Sequence, residues 1–364
     1  MDAFAEGSRS DNTLRGMKAM RDKLLCLHKI LNAITHAESD EELVQLFESY
    51  RDRLDIKPGE DEISQLFEDA QMLGREILFL KETINNVEHN RNLAKLTAEE
   101  RTELAEVEAI LNENRFSYHF QPIVSAVDGS VYSYEALMRA RSEMRISPFH
   151  ILKYAELMGR LYDVEYATFW NVMNIIDSEK PKFKGRKVFI NSLPVVSLKG
   201  NDTKRVGELI FKHADTVVVE LIELADSQDV DLSAFKERFM KKGIELAIDD
   251  FGTGYSNMRN LLRYTPDYVK IDRSLISNIQ DNPKKRLFVH EVIDFCHNTG
   301  MRTLAEGVET AEELRAVVLM GVDLIQGYYT AKPDAEVIDT IPDEISQEIR
   351  AYRQERQDEL ELQV

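Results

Sequence analysis

Residues 243–258 read GIELAIDDFGTGYSNM, an apolar run that ends in two adjacent aspartates and continues into a glycine-containing loop. The apolar run has the length of a buried strand, and the glycines indicate a flexible loop directly after it. Adjacent carboxylates repel each other, so either a positive charge lies between Asp249 and Asp250 or one of them faces elsewhere. The stretch therefore predicts a buried strand with a charged group at its carboxyl end.

The same pattern recurs along most of the chain. Apolar runs of strand length alternate with segments of helical pattern, and this predicts an α/β protein whose parallel strands close into a TIM-type (β/α)8 barrel. A short turn at Asp128-Gly129 joins the first two runs, so we expect a hairpin and an irregular, antiparallel start to the barrel. The eight predicted strands span residues 116–124, 131–140, 187–194, 216–223, 244–250, 268–272, 302–309 and 322–329.

The first 96 residues have a helical pattern without a convincing strand. Apolar residues step by three and four from Met17 to Ile34 and from Ile63 to Val87, and the second run keeps a heptad seam. This pattern fits either a helical bundle within one subunit or a coiled coil between two subunits. We therefore predict an all-α region at residues 1–96, with a dimerisation or regulatory role, and a barrel domain at residues 97–364 that ends in a helix.

The composition limits the kinds of protein to which this chain can belong. The chain has 364 residues, about 100 more than one barrel of roughly 250 residues requires, and is 43% apolar and 30% charged, as in globular proteins. A net charge of −19 argues against binding to a nucleic acid polymer. The sequence contains no run long enough to span a membrane, no signal-peptide pattern and only two cysteines, without metal-ligand spacing. We expect a cytoplasmic protein without membrane insertion.

Polar side chains occur near the carboxyl ends of most predicted strands. In a barrel these ends converge on one face, where active sites form. One such acidic residue alone is usually solvated or caps the next helix, but a whole cluster of carboxylates is unstable without cations. Oxygen ligands favour Mg²⁺ or Mn²⁺, and the two aspartates could serve two ions about 4 Å apart. The residues in this set are Glu135, Asn191, Glu220, Glu223, Asp249, Asp250, Lys270, Glu306 and Gln326.

Short motifs in the barrel region occur in an order that matches a known family. They are QPIV (121–124), EALMR (135–139), FINSLP (189–194), ELIE (220–223), DDFGTGYS (249–256), KID (270–272), AEGVET (305–310) and QGYY (326–329). On these motifs, roughly residues 100–345 resemble the EAL-domain family of cyclic di-GMP phosphodiesterases. The resemblance implies a barrel fold, hydrolysis of one phosphodiester bond of cyclic di-GMP to linear 5′-pGpG, two Mg²⁺ or Mn²⁺ ions, and a homodimer.

The resemblance also implies a role for each matching residue. Those similar to ligands of the first metal are Glu135, Asn191, Glu220 and Asp249. Three residues match positions with catalytic roles. Lys270 is similar to the residue that orients or helps to activate the attacking water. Glu306 is similar to a metal-site or acid–base carboxylate, and Asp250 to the residue that completes the second metal site. Those similar to substrate contacts are Gln121, Leu137, Arg139, Glu165 and Gln326, with Arg139 paired to a phosphate. Those similar to residues that couple dimerisation to activity are Glu223, Gly252 and Gly254.

Three positions depart from the family pattern. Ser192-Leu193-Pro194 stands where Leu-Ser-Pro is usual, Glu165 stands where an aspartate that reads guanine is usual, and Ile222 replaces a threonine. The presumed metal ligands and the lysine are all present. Two other functions stay open: a non-catalytic cyclic di-GMP receptor, and an interaction scaffold that works through the helical region.

Overall fold

Eight strands close into one barrel in which each strand pairs with its neighbours in sequence and β1 pairs with β8. β1 runs antiparallel to both of its neighbours, and all other neighbours are parallel. The predicted barrel and its antiparallel start are therefore confirmed. The strands are β1 (Phe116–Ser125), β2 (Val131–Ala140), β3 (Lys187–Ser192), β4 (Val217–Leu221), β5 (Glu245–Phe251), β6 (Tyr268–Ile271), β7 (Arg302–Ala305) and β8 (Leu324–Ile325).

The computed structural model describes residues 29–30, 44–49, 69–77, 93–193, 196, 198–221, 243–252, 261 and 265–362. Contacts divide the chain into two units, Met1–Leu96 and Thr97–Val364. In the first unit, residues 44–49 and 69–77 are helical, and Phe47 and Ala70 are buried. Most residues of the two predicted apolar runs, at 17–34 and at 63–87, lie outside the described residues, so the all-helical region stays a prediction.

Several described helices of the second unit begin directly after a residue whose side chain caps them. The Thr97 hydroxyl accepts the Glu100 backbone N–H and the Glu100 carboxylate accepts the Thr97 N–H, a capping box that starts α1. The helix predicted at the end of the barrel domain is confirmed, and Pro342 directly precedes it. The helices are α1 (Ala98–Glu113), α2 (Pro148–Leu157), α3 (Leu161–Ser178), α4 (Lys180–Phe183), α5 (Gly200–Lys212), α6 (Arg273–Ile276), α7 (Pro283–Asn298), α8 (Ala311–Met320) and α9 (Asp343–Glu361).

Some strands are shorter than predicted. Residues 322–329 were expected in the last strand, but β8 contains only Leu324–Ile325. A Cβ atom on Gly327 would lie 2.0 Å from the Val308 carbonyl oxygen, so the backbone after β8 approaches the loop after β7 too closely for any residue except glycine. This close approach brings the two loops together at one edge of the barrel mouth.

Seven strands each contribute one side chain to an apolar layer inside the barrel. Since side chains alternate between the two faces of a strand, the residue two positions away on each strand also points inward. This layer closes the barrel interior and leaves the next inward positions to line the mouth. Its members are Ile123, Phe189, Val218, Ala247, Tyr268, Leu304 and Leu324.

Tyr268 links the apolar layer to a polar group at the amino ends of the strands. Its hydroxyl donates to Glu245 at 2.8 Å and lies 2.7 Å from the Tyr132 hydroxyl, and Glu245 also pairs with Lys187 at 2.9 Å. Tyr268 is almost completely buried. The hydroxyl therefore stabilises the closed end of the barrel.

We expect the change Tyr268→Phe to lower the free energy of unfolding by about 1–3 kcal/mol, because it removes the hydrogen bonds that the buried hydroxyl makes with Glu245 and Tyr132. Urea denaturation of the full chain measures the change. The same change at half-buried Tyr166 on α3 should alter the value by less than about 0.5 kcal/mol. Equal effects at the two positions would contradict a stabilising role for the Tyr268 hydroxyl.

Candidate active site

A polar layer lies two residues beyond the apolar layer on seven strands. On β3 to β8 the polar residue follows the apolar one in sequence, whereas on the reversed β1 it precedes it. The alternation of strand side chains therefore places all of these groups at the same end of the barrel. They are Gln121, Asn191, Glu220, Asp249, Lys270, Glu306 and Gln326, and Glu135 on β2 joins them through direct contacts.

Lys270 lies at the centre of this layer. Its Nζ atom is 2.8 Å from Glu220, 2.9 Å from Asp249 and 2.9 Å from Glu306. A fourth carboxylate, that of Glu135, is 3.8 Å away. The lysine side chain is only 1% exposed, so these carboxylates are its surroundings. One ammonium thus faces four carboxylates, and the centre carries an excess of negative charge.

The pKa values of these groups reflect burial in competition with charge. Burial alone lowers the pKa of Lys270, but the surrounding carboxylates, Asp249 first, raise it well above its usual value. Burial also raises the pKa of Glu220 well above its ordinary range, and neighbouring carboxylates raise it further. The pKa of Glu306 is raised well above normal by burial and by Asp249. The lysine is therefore charged, whereas Glu220 and Glu306 are destabilised in their ionised form.

A β-bulge explains why two successive aspartates can face the same site. The pairing of β5 with β6 shifts between Ile248 and Phe251. Asp250 has φ +53°, the left-handed conformation, and its N–H donates to the Asp249 carboxylate at 2.9 Å. In a regular strand the two side chains would point to opposite faces. The bulge instead brings carboxylate oxygens of Asp249, Asp250 and Glu306 within 4.8 Å of one another.

A second group of contacts joins the Glu135 carboxylate to amide side chains. Asn191 donates to one oxygen at 2.9 Å, and Gln326 donates to the other at 2.6 Å. Gln326 also donates to Gln121 at 3.2 Å, and Gln121 donates to the Ala331 carbonyl at 3.1 Å. Glu135 is in the middle of β2, but pairing with β3 ends at the next residue, so it lies at the edge of the barrel wall. The amides fix the orientation of this carboxylate.

The residues of the mouth fit hard divalent cations. Glu220 is completely buried, and its Oε2 atom accepts no hydrogen bond from the described residues. Four carboxylates share one ammonium, while Asp250 adds a fifth negative group beside Asp249. Carboxylate and amide oxygens are the donors that Mg²⁺ and Mn²⁺ prefer. The donor set and the unbalanced charge therefore suit divalent metal.

The predicted substrate contacts lie in three places: the network around Glu135, the β1–β2 hairpin, and α3, which carries Glu165. Gln121 and Gln326 belong to the network around Glu135. Leu137 and Arg139 lie where the β1–β2 hairpin extends beyond the pairing with β3, and both are half-buried. The Arg139 guanidinium donates to the Met138 carbonyl at 2.8 Å. Arg139 thus lies on the part of the hairpin that projects at the mouth.

Glu165 lies on α3 and supports the end of β3. It is 3% exposed; the Ser192 hydroxyl donates to one carboxylate oxygen at 2.7 Å and the Leu193 N–H to the other at 2.9 Å. These contacts hold the segment that follows Asn191. Burial raises the pKa of Glu165 to about 7, although both hydrogen bonds act to lower it.

The raised pKa of Glu165 predicts a pH-dependent effect of the change Glu165→Gln. An acid whose pKa is higher in the folded chain destabilises the fold progressively as pH rises from its unfolded pKa of 4.5 to about 7. Glutamine carries no such penalty and can still accept from Leu193 and donate to Ser192. We expect the stability of the variant relative to the unchanged protein to increase by about 3 kcal/mol between pH 4.5 and pH 8. Urea unfolding at several pH values measures it, and a constant difference would contradict the prediction.

The residues predicted to couple dimerisation to activity are described only in part. Gly252 has φ +113°, and a Cβ atom there would lie 2.2 Å from Leu275, so the turn after β5 requires glycine. Glu223 and Gly254 lie outside the described residues. Their coupling role stays a prediction.

Four residues at the mouth were not identified from the sequence. Asp272, Arg273, Glu309 and Tyr328 line a pocket of about 270 Å³ together with Gln121, Glu135, Glu306, Gly307, Gln326 and Gly327. Asp272, Glu309 and Tyr328 lie within the motifs KID, AEGVET and QGYY, and Arg273 directly follows KID, but the sequence alone assigned no role to them. Because loops at the carboxyl ends of barrel strands form the active site, this position was the available signal.

Comparison with known proteins places this site in context. The chain is 29% identical to the probable cyclic di-GMP phosphodiesterase PdeN of Escherichia coli K12, over 63% of this chain and 45% of PdeN. A standalone EAL protein from Vibrio cholerae O395, solved with c-di-GMP, is similar with a TM-score of 0.55 and 26% identity, over 64% of this chain and 97% of that one. BlrP1 of Klebsiella pneumoniae, solved with manganese and cyclic di-GMP, gives a TM-score of 0.53 and 27% identity, over 60% and 56% of the two chains.

The extent of the match identifies the family. The chain spans less than half the length of the curated relatives it matches. Across the described part of the chain, no helix combines the length and apolar character that crossing a bilayer requires. The EAL domain family model matches residues 104–333, more than half of the sequence, and the chain therefore belongs to the EAL domain family.

Proposed function

We propose that this protein hydrolyses one phosphodiester bond of cyclic di-GMP and releases linear 5′-pGpG, with two Mg²⁺ or Mn²⁺ ions held at the barrel mouth. The observation that carries the proposal is the buried centre in which four carboxylates surround Lys270. The names of the related cyclic di-GMP phosphodiesterases support the choice of substrate. Binding alone would not require so many buried carboxylates, whose repulsion is costly without cations.

In this proposal two groups of residues hold the ions. Bound ions would lower the pKa of a water molecule and neutralise charge that develops on the phosphoryl oxygens. Asp249 belongs to both groups. Its carboxylate lies beside Lys270, and the bulge at Asp250 also places it near the carboxylates of Asp250 and Glu306. The first group is Glu135, Asn191, Glu220 and Asp249; the second is Asp249, Asp250 and Glu306.

Lys270 and Glu306 act on the water and the phosphate. Three carboxylates fix the Lys270 ammonium, so it offers a preorganised hydrogen bond and a positive charge next to the reacting atoms. Glu306 lies 2.9 Å from this ammonium and accepts the proton that the attacking water loses. The water oxygen bonds to phosphorus as the bond from phosphorus to the 3′ oxygen breaks, and the released 3′ oxygen takes up a proton from solvent. Arg139 pairs with a phosphate of the dinucleotide.

The direct test is incubation of the purified full chain with cyclic di-GMP and Mg²⁺, Mn²⁺ or Ca²⁺, followed by chromatography of the products. We expect 5′-pGpG with Mg²⁺ and Mn²⁺, and binding without turnover with Ca²⁺. The isosteric change Glu220→Gln should abolish turnover, whereas the same change at exposed Glu208 on α5 should not. Tight binding without product under Mg²⁺ and Mn²⁺ would instead identify a cyclic di-GMP receptor.

We also propose that residues 1–96 hold two copies of the chain together and that the dimer is the active form. The heptad seam of the sequence supports this assignment. Deletion of residues 1–96 should convert a dimer to a monomer and lower the turnover of cyclic di-GMP. Light scattering after gel filtration and the chromatographic assay measure the two effects. An unchanged mass together with unchanged turnover would reject the proposal.

A further inference from the structure

Two of the three departures from the family pattern contact each other in the structure. Glu165 stands in place of an aspartate, Ser192 belongs to the reordered Ser-Leu-Pro segment, and the Ser192 hydroxyl donates to the Glu165 carboxylate at 2.7 Å. We propose that Glu165 is a positioning residue that holds the end of β3, so that Asn191 faces the metal site, and that Glu165 does not bind the substrate. The inference rests on the proposed function, because it takes Asn191 as a metal ligand.

The end of β3 is paired on one side only. Pairing between β2 and β3 ends at Ala136 and Ile190, whereas pairing between β3 and β4 continues to Ser192 and Leu221. Asn191 and Ser192 therefore extend beyond the support that β2 gives to β3. Backbone groups in such a buried position need hydrogen bonds from another element, and these bonds fix the direction of the chain.

Glu165 supplies such bonds from α3. One carboxylate oxygen accepts from the Ser192 hydroxyl at 2.7 Å, and the other accepts from the Leu193 N–H at 2.9 Å. Because side chains alternate along a strand, Ser192 points outward to α3 whereas Asn191 points into the mouth. There the Asn191 amide donates to Glu135 at 2.9 Å. The carboxylate thus holds both of the residues that directly follow Asn191.

The surroundings of Glu165 do not suit recognition of a base. Glu165 is 3% exposed and Ser192 is 1% exposed. Both oxygens of the carboxylate already accept hydrogen bonds from the protein. A guanine base that took these oxygens would leave the Ser192 hydroxyl and the Leu193 N–H unpaired, which costs free energy. These contacts therefore favour support of the strand over a contact with guanine.

A carboxylate at this position has a cost that an apolar side chain would avoid. Burial raises the pKa of Glu165 to about 7, so the ionised group lowers the stability of the fold at higher pH. Ionisable groups in such surroundings cluster at functional sites. Residues that orient a metal ligand commonly change metal affinity by about 10–100-fold when they are replaced. Metal affinity is therefore the property that Glu165 should control.

The test combines calorimetric titration of the full chain with Mn²⁺ and kinetics with cyclic di-GMP at saturating Mn²⁺. The change Glu165→Asp shortens the side chain by one methylene, so it can no longer hold both Ser192 and Leu193. It should raise the Kd of one of the two Mn²⁺ ions about tenfold and leave KM within about twofold. Glu165→Gln keeps both hydrogen bonds and should leave the Kd of Mn²⁺ and KM within about twofold.

A role in reading guanine predicts the opposite order of effects. Aspartate would then restore the usual residue and preserve KM and metal affinity. Glutamine would remove the carboxylate that accepts from the base, and KM would rise about tenfold. The two variants therefore distinguish support of β3 from recognition of the base.

A double-mutant cycle tests whether Glu165 acts through Ser192. Ser192→Ala alone should raise the Kd of the same Mn²⁺ ion about fivefold, because one hydrogen bond is lost. In the Glu165→Asp background the same change should add less than about twofold, since the contact is already broken. The control is Tyr268→Phe, which lowers stability at the closed end of the barrel and should leave Mn²⁺ affinity within about twofold.

Three results would overturn the inference. They are an unchanged Kd for Mn²⁺ in both Glu165→Asp and Ser192→Ala, additive effects in the cycle, and a tenfold rise of KM in Glu165→Gln. If the unchanged protein binds Mn²⁺ and cyclic di-GMP without cleavage, the proposed function fails, but the titrations still test Glu165, with the Kd of cyclic di-GMP in Ca²⁺ in place of KM. No binding of Mn²⁺ by the unchanged protein would overturn both.

Discussion

The change Lys270→Met should reduce kcat for cyclic di-GMP by about 10²–10³-fold, because it removes a preorganised donor beside the reacting phosphate. Within the described residues, Lys270 is the one cation that pairs with this set of carboxylates. Methionine has a similar length and no charge, so the shape of the site is largely kept. Binding with Ca²⁺, measured by calorimetry, should change far less than kcat. The same change at Lys153, which is 40% exposed and pairs with Glu100, should leave kcat within twofold, because it alters only a surface ion pair.

A stability measurement separates catalysis from misfolding in this variant. Removal of the ammonium leaves Glu220 buried without its counterion, and breaking a buried pair costs about 3–5 kcal/mol. The Lys270→Met protein should therefore melt at a lower temperature in EDTA and regain most of the loss with Mg²⁺. A variant that melts normally and retains full turnover would refute the assigned role of Lys270.

Removal of divalent metal should abolish turnover, and addition of Mg²⁺ or Mn²⁺ to the stripped protein should restore it. Because the ions bind only to the folded chain, a metal concentration of 100 times Kd should stabilise the fold by about 2.7 kcal/mol. Protons compete with the metal ions for the carboxylate oxygens of the site. Burial, together with the charge of Asp249, raises the pKa of Asp250 to about 6. The stabilisation by metal should therefore be larger at pH 8 than at pH 5. Thermal melts with and without EDTA at the two pH values measure this.

The number of ions can be tested at Asp250. We expect calorimetric titration with Mn²⁺ to give two ions per chain, and the change Asp250→Asn to reduce this to one. The matched control is Asp294→Asn, at an exposed residue on α7. Stabilisation by EDTA instead of by metal, or one ion in the unchanged protein, would contradict the two-ion site.

The barrel and its polar layer could be predicted because both depend on short-range patterns. Strand length, alternation and the positions of Asn191, Glu220 and Lys270 relative to the apolar residues are visible in sequence. Parallel pairing then brings these residues to one end without further information. The antiparallel start was predictable for the same reason, since only a short turn separates the first two strands.

Other features depend on contacts between residues far apart in sequence. The bulge at Asp250 depends on the register between β5 and β6, which no local pattern specifies. The contacts of Glu165 with Ser192 and Leu193 require the packing of α3 against β3. The ion pair between Arg273 and Glu309 joins two loops 36 positions apart. Such arrangements follow from tertiary packing, and a motif alone does not reveal them.

The reversed direction of β1 determines how the barrel is connected to the chain before it. Phe116, the first residue of β1, pairs with Ala140, the last residue of β2, and therefore lies at the mouth of the barrel. Only two residues separate it from α1, whose 16 residues form a rod about 24 Å long. In a barrel with a parallel first strand, a preceding helix would lead into the opposite end. Here, α1 leads directly into the mouth of the barrel, so the chain before the barrel is joined to the end that carries Lys270 and its carboxylates.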